Sequence, residues 1–229
     1  MTSRKPVAVV VGAGPGNGAA LCRRFVDAGY QVAALARKQE TLDALRAQLT
    51  DVRTYLCDAA DPASLERTFA AIRTGIGEVD TLLYNAGSGL FDDFENTSAE
   101  QFEQAWRINA LGAFVSARIV TPAMKSAGRG NIIFIGATAS RRGGAKTAAF
   151  AAAKAAQRSL AETLARTFWP AGIHVALIVI DGKIATPAGG DDDRLIKASA
   201  IAEVAYQLCQ QDRSAWSFEV EARPFLERW

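Results

Sequence analysis

Phe150 and Lys154 stand four residues apart in the run AAFAAAKAA, residues 148–156. Four residues make one helical turn, so the ring and the ammonium share a face. A lysine taken out of water on such a face holds its proton less tightly and can donate it. Phenylalanine brings only shape. A second group is Gly12, Gly16 and Gly18 in VGAGPGNGAA, spaced G-x-x-x-G-x-G, with Asn17 inside the turn. Glycines there permit a tight turn and a close approach of backbone to a diphosphate, and a following helix offers free N–H groups. A third is Arg37-Lys38 after QVAALA, with Ala36 where an acid would bind ribose hydroxyls. Arginine grips a 2′-phosphate instead, so NADP(H) is favoured over NAD(H).

These residues need a scaffold. Apolar runs alternate with helical periodicity along the chain. Strands are expected at 7–11, 31–36, 52–57, 81–87, 131–136, 174–180 and 216–222. Helices are expected between them. One opens with Pro62 in its first turn. A long one starts with Thr97 and Glu100 at capping-box spacing and stops at Gly128, and the Ala-rich one runs from about 147 to 169. Strands apolar on both faces and joined by helices give a parallel sheet covered on both sides. The expected fold is α/β: one doubly wound Rossmann-type domain over 1–229, with about seven parallel strands and its ligand site at their carboxyl ends.

Composition excludes several classes. Net charge is +2, from 26 basic and 24 acidic residues, which gives no reason to expect nucleic acid or a membrane surface as partner. The three cysteines, Cys22, Cys57 and Cys209, lack metal or disulfide spacing, which suits a reducing cytoplasm. A single histidine, His174, leaves no basis for a His-based metal site or a Ser-His-Asp triad. No apolar run reaches membrane-spanning length. The Asp-rich stretch AGGDDDR (188–194) reads as a loop, because three consecutive carboxylates diverge.

On these motifs the chain resembles the short-chain dehydrogenase/reductase family over nearly its whole length. The glycine motif falls on Gly12, Gly16 and Gly18. The adenine-contacting Asp falls on Asp58 in LCDAAD. The N-N-A-G segment falls on Tyr84-Asn85-Ala86-Gly87, with its first Asn replaced. The helix Asn falls on Asn109 in INALG. The P-G-x-I-x-T segment falls on DGKIAT, where Asp181 replaces proline and Gly182, Ile184 and Thr186 are kept. In that family a Tyr donates the proton to the substrate carbonyl, a Lys four residues later lowers its pKa and binds the nicotinamide ribose, and a Ser holds the carbonyl oxygen. The resemblance places Lys154 and Asn109 in their usual positions. It puts Phe150 at the Tyr position and Ala137 at the Ser position.

Two hydroxyls aimed at the carbonyl oxygen are therefore missing. A lost general acid lowers the rate about 10²- to 10⁴-fold and a lost oxyanion donor about 10²- to 10³-fold. Substitute proton sources are Lys154 itself, a water held by Lys154 and Asn109, or Ser140 after a local shift. Thr138 follows the Ser position, and Thr147 reads as a helix cap. The resemblance implies an oxidoreductase acting on a small carbonyl or alcohol, with an atypical proton donor and no metal. The alternative is a catalytically impaired nucleotide-binding sensor, scaffold or partner subunit. It also implies a homodimer or homotetramer.

Overall fold

The computed structural model describes residues 4–185 and 192–227. β1 (Val7–Val11), β2 (Gln31–Ala36) and β3 (Val52–Leu56) are joined by α1 (Asn17–Asp27) and α2 (Gln39–Gln48). α3 (Pro62–Gly75) leads to β4 (Thr81–Tyr84). α4 (Ala99–Trp106) and α5 (Gly112–Ala127) precede β5 (Gly130–Ala137). The Ala-rich α6 (Ala148–Phe168) precedes β6 (Ile173–Ile180). The short β7 (Lys183–Ile184) and β8 (Leu195–Ile196) follow, then α7 (Ala198–Cys209) and β9 (Glu219–Ala222).

Seven strands form one sheet in the order β3-β2-β1-β4-β5-β6-β9, every neighbouring pair parallel. The order reverses between β1 and β4, and a crevice opens there at the carboxyl edge. β1 and β4 are buried along their whole length, as continuous apolar runs require. Odd-numbered side chains of β1 (Val7, Val9, Val11) join the core under α3, α5 and α6. Even-numbered ones (Ala8, Val10) join the core under α1 and α7.

Four expectations change. The cap of the 97–127 region is Ser98 with Gln101, one residue beyond the Thr97/Glu100 pair: Ser98 Oγ accepts from Gln101 N–H, and Gln101 accepts from Ser98 N–H. That region is also not one α-helix, because Arg107–Leu111 form a π turn between α4 and α5. Tyr84 OH donates to Ile108 O inside this turn, and a Cβ at Gly112 would lie 2.2 Å from Ala59 O, so only glycine lets the turn sit against the sheet. β4 ends at Tyr84, leaving Asn85–Gly87 as loop. The last strand is shortened to 219–222, because the backbone of Ser217 is engaged elsewhere: its N–H donates to Gln211 Oε1 and its carbonyl faces His174 Nε2. The β7–β8 ribbon had no separate signal in the sequence.

The chain end is held by His174. Its Nδ1 lies 3.0 Å from Leu208 O and its Nε2 2.9 Å from Ser217 O. Its ring stacks on Trp216 at 4.8 Å and meets Trp169 edge-on. Trp216 is thus packed, and Phe218 lies against the core, whereas Phe225 is exposed. Burial holds the imidazole below its ordinary pKa. Among the described residues, no helix is long and apolar enough to cross a membrane, and no group of three His, Cys, Asp or Glu is arranged for a metal.

Candidate active site

The glycine turn is built by close contacts. Gly12 has φ +90°, and a Cβ there would lie 2.5 Å from Ala86 N. A Cβ on Gly18 would lie 2.3 Å from Gly12 O, so glycine lets α1 start flush against β1. Gly14 and Gly16 differ: a Cβ on either would meet nothing within 4 Å. Their backbone is open to an incoming group. α1 has no side-chain cap and no acid in its first turn. Its positive end is left for an anion. Asn17 Oδ1 is buried there with no hydrogen-bond partner among the described residues.

A cleft of about 310 Å³ continues from this turn. Its walls include the expected Gly12, Arg37, Lys38, Asp58, Asn85, Ala86 and Gly87. Gly14, Thr41, Cys57 and Ile108 also line it, and sequence reasoning had not singled them out. Arg37 and Lys38 are exposed, and neither pairs with a carboxylate among the described residues. Asp58 is fixed by Ala60 N–H donating to its Oδ1 at 2.9 Å. Asn85 braces the turn, its Nδ2 donating to Gly12 O at 2.7 Å. These features fit a dinucleotide: a glycine cradle and helix end for diphosphate, and two free cations beside the β2 terminus for a further phosphate.

Gly87 leads from the cleft to Lys154 and Asn109. A Cβ on Gly87 would lie 3.1 Å from Asn109 Oδ1 and 3.6 Å from Lys154 Nζ. The two side chains thus converge on one point of the backbone. Asn109 is carried inward by the π turn. Its Nδ2 donates to Ala105 O at 2.9 Å and Ser88 Oγ at 3.3 Å, while its Oδ1 is buried without a partner among the described residues. Lys154 is 5% exposed. Its Nζ donates to Ile135 O at 2.9 Å and Gln157 Oε1 at 3.0 Å. Burial draws its pKa from 10.5 to about 7. Gln157, itself fully buried, was missed. A glutamine three residues after the lysine on an Ala-rich helix was the available signal.

The Phe150 ring centre lies 6.0 Å from Lys154 Nζ and 5.3 Å from that of Phe91, the two rings tilted by 52°. Ala137 ends β5. The neighbouring hydroxyls are occupied: Thr138 Oγ1 donates to Asp181 Oδ1 at 2.7 Å and contacts Ile180 O. Thr147 stands at the N-cap position without capping. Its Oγ1 donates to Gly144 O and accepts from Gly144 N–H, because the loop before α6 turns back on it. Ser140 Oγ is buried with no partner among the described residues. Gly182 (φ +145°) and Ile184 sit by the β7–β8 ribbon rather than in the cleft wall. Thr186 and the first part of the Asp-rich loop lie outside the described residues.

A doubly wound parallel sheet with a glycine turn at its switch point defines a dinucleotide-binding Rossmann protein. Comparison with known proteins narrows this. A sequence model described as short chain dehydrogenase matches residues 6–193. The chain is 32% identical over 189 residues to 2-(R)-hydroxypropyl-CoM dehydrogenase of Xanthobacter autotrophicus, covering 79% of this chain and 75% of that protein. A short-chain dehydrogenase structure from Rhodopseudomonas palustris superposes with TM-score 0.85 at 32% identity, covering 97% of this chain and all of the other. A metagenomic short-chain oxidoreductase in complex with NADP superposes with TM-score 0.87 at 27% identity, covering 98% and 99%. The chain belongs to the short-chain dehydrogenase family, and it is by that membership an NAD(P)-dependent oxidoreductase.

Proposed function

We propose that this protein is an NADP(H)-dependent carbonyl reductase or alcohol dehydrogenase that works without a tyrosine proton donor. The observation that carries this is the cleft lined by Arg37, Lys38, Gly12 and Gly87, with Lys154 Nζ 3.6 Å from where a Cβ on Gly87 would lie. Arg37 and Lys38 would hold the 2′-phosphate. Gly12, Gly16, Asn17 and Gly18 would hold the diphosphate, Asp58 the adenine, and Lys154 the nicotinamide ribose. Asn85, Ala86 and Gly87, which line the cleft, would complete the binding surface. A bound dihydronicotinamide would supply hydride. The chain's part is to place the acceptor beside Lys154 and to provide a proton.

With Phe150 at the Tyr position and Ala137 at the Ser position, no hydroxyl from those two residues serves that purpose. Lys154, whose pKa burial draws down to about 7, would be the proton source, and Asn109 Oδ1, unpartnered and converging with it on Gly87, could hold a water that refills it. The relative bound to NADP supports the cofactor preference by similarity.

The test is a fluorescence titration with NADPH and NADH, followed by a carbonyl screen of the native chain and the Ala137→Ser/Phe150→Tyr variant. NADPH should bind more tightly, and the double variant should gain reductase activity on a simple carbonyl. Failure to bind either nucleotide would end this reading. A second reading, a nucleotide-binding sensor or partner subunit, is favoured by the occupied hydroxyls of Thr138 and Thr147. Nucleotide binding with no turnover by the native chain on any carbonyl would select it.

A further inference from the structure

We propose that Tyr84 and Ser88 are positioning residues of the active centre: between them they aim the Asn109 side chain at Lys154. This rests on the reading above, in which Lys154 gives up a proton and a water on Asn109 replaces it. Tyr84 stands where the resemblance has the first Asn of N-N-A-G, so the chain departs from the pattern at the strand end that leads into the cleft.

Tyr84 is wholly buried, in the core under α3 and α5 rather than in the cleft wall. A buried phenol needs a partner for its hydroxyl. Tyr84 OH finds one in Ile108 O, the carbonyl immediately before Asn109. The same oxygen bears on Gly112, where a Cβ would lie 2.3 Å from it. One phenol oxygen therefore touches both ends of the stretch that carries Asn109. A single π turn adds one residue to a helix and swings the side chains after it by about 100°, the angle of one residue at 3.6 per turn. Without the hydroxyl, Ile108 O is a buried carbonyl short of a donor, and the turn loses its tie to β4. Burial pushes the Tyr84 phenol well above its ordinary pKa, so its hydroxyl is a fixed donor and not itself a proton source.

Ser88 fixes the amide itself. Ala105 O can only accept, so it takes one hydrogen of Asn109 Nδ2, at 2.9 Å. Ser88 Oγ takes the other, at 3.3 Å. With both hydrogens spent, Asn109 has only Oδ1 to present, and that oxygen is buried without a partner among the described residues. A Cβ on Gly87 would lie 3.1 Å from it and 3.6 Å from Lys154 Nζ, so acceptor and ammonium lie about one point. The other groups against Lys154, Ile135 O, Gln157 Oε1 and the Phe150 ring, carry no charge. An acceptor and the water it holds favour the ammonium form. A misdirected Asn109 therefore lowers the Lys154 pKa further and slows its reloading.

NMR of protein carrying ¹³C-labelled lysine follows the Lys154 titration, and Lys154→Met assigns its signal. The native residue should titrate near pH 7. Tyr84→Phe and Ser88→Ala should each lower that pKa by about half a unit or more. NADPH affinity, read by fluorescence, should stay as in the native chain. In an Asn109→Ala background neither change should move the titration, because the side chain they aim is gone. In turnover of a simple carbonyl, both should lower kcat about 10- to 10²-fold, the effect of a small misplacement, at unchanged KM for NADPH. A Tyr84 that only supports the fold would lower the melting temperature and leave the Lys154 titration where it was; that result overturns the inference and leaves the reductase reading standing. An equal shift with and without the Asn109 side chain overturns it too. If Tyr84→Phe does not fold, Ser88→Ala, at a half-buried loop position, decides by the same titration. If native Lys154 titrates near its open-chain value, or NADPH does not bind, the reading beneath falls as well.

Discussion

Lys154→Met should change the pH dependence of stability in a specific way. The side chain is 5% exposed, and burial draws its pKa from 10.5 in open chain to about 7. Between those values the unfolded chain carries a proton that the folded chain has released. Stability therefore rises with pH across this window, and the penalty is fully present below about pH 7. The full gap corresponds to about 5 kcal/mol at about 1.36 kcal/mol per pH unit. Methionine has similar length and no charge, so it escapes the penalty. It also leaves Ile135 O and Gln157 Oε1 without their donor, which costs about 1–3 kcal/mol each and does not vary with pH. The two proteins should thus be of comparable stability near pH 7. The native chain should gain on the variant by about 2–3 kcal/mol from pH 7 to pH 9. Urea unfolding at pH 7, 8 and 9 measures the difference, and groups common to both proteins cancel. A difference constant to within about 0.5 kcal/mol would refute the claim that Lys154 is held out of water in the folded protein.

Gln157→Leu removes an acceptor from a buried ammonium, so the Lys154 pKa should fall by a further ~1–2 units; NMR of reductively ¹³C-methylated protein reads it directly. Arg37→Ala should weaken NADPH binding about tenfold or more and leave NADH nearly unchanged, as measured by fluorescence titration. Gly18→Ala forces a Cβ to within 2.3 Å of Gly12 O and should destabilise the protein by about 1–3 kcal/mol. Gly16→Ala enters open space and should fold normally while losing nucleotide affinity, so thermal melts and NADPH titrations of the two variants should move in opposite order.

Most of the sheet was legible because parallel strands buried on both faces write themselves as unbroken apolar runs, as VAVVV and HVALIVI do. The glycine turn was legible because its chemistry admits few residue types. What escaped has no compositional mark. The π turn at Arg107–Leu111 differs from an α-helix by one hydrogen-bond step, and nothing in RINAL announces it. Ser98 and Thr97 both suit a cap; Ser98 takes it, while Thr97 Oγ1 donates back to Asp93 O. Phe91 comes to Phe150 only because the loop after β4 is tied to Lys146, a contact across 54 residues that no local pattern contains. The position of Lys154 followed from the resemblance. The depth at which it is buried did not, since an Ala-rich helix looks equally suited to solvent.

The placement of β9 bears on how the molecule is made. β6 gains its second neighbour when Leu177–Ile180 pair with Glu219–Ala222, and α7 covers α1 on the same side of the sheet. Until the ribosome has passed residue 222, the buried, apolar β6 has an open edge, a template for pairing with other nascent chains. The matched family pattern ends at residue 193, before either element. A truncation at that point would keep the nucleotide cleft on paper and lose the seal. His174, fastened to Leu208 and Ser217 and stacked on Trp216, ties the end of α7 and the segment leading into β9 to one residue of β6.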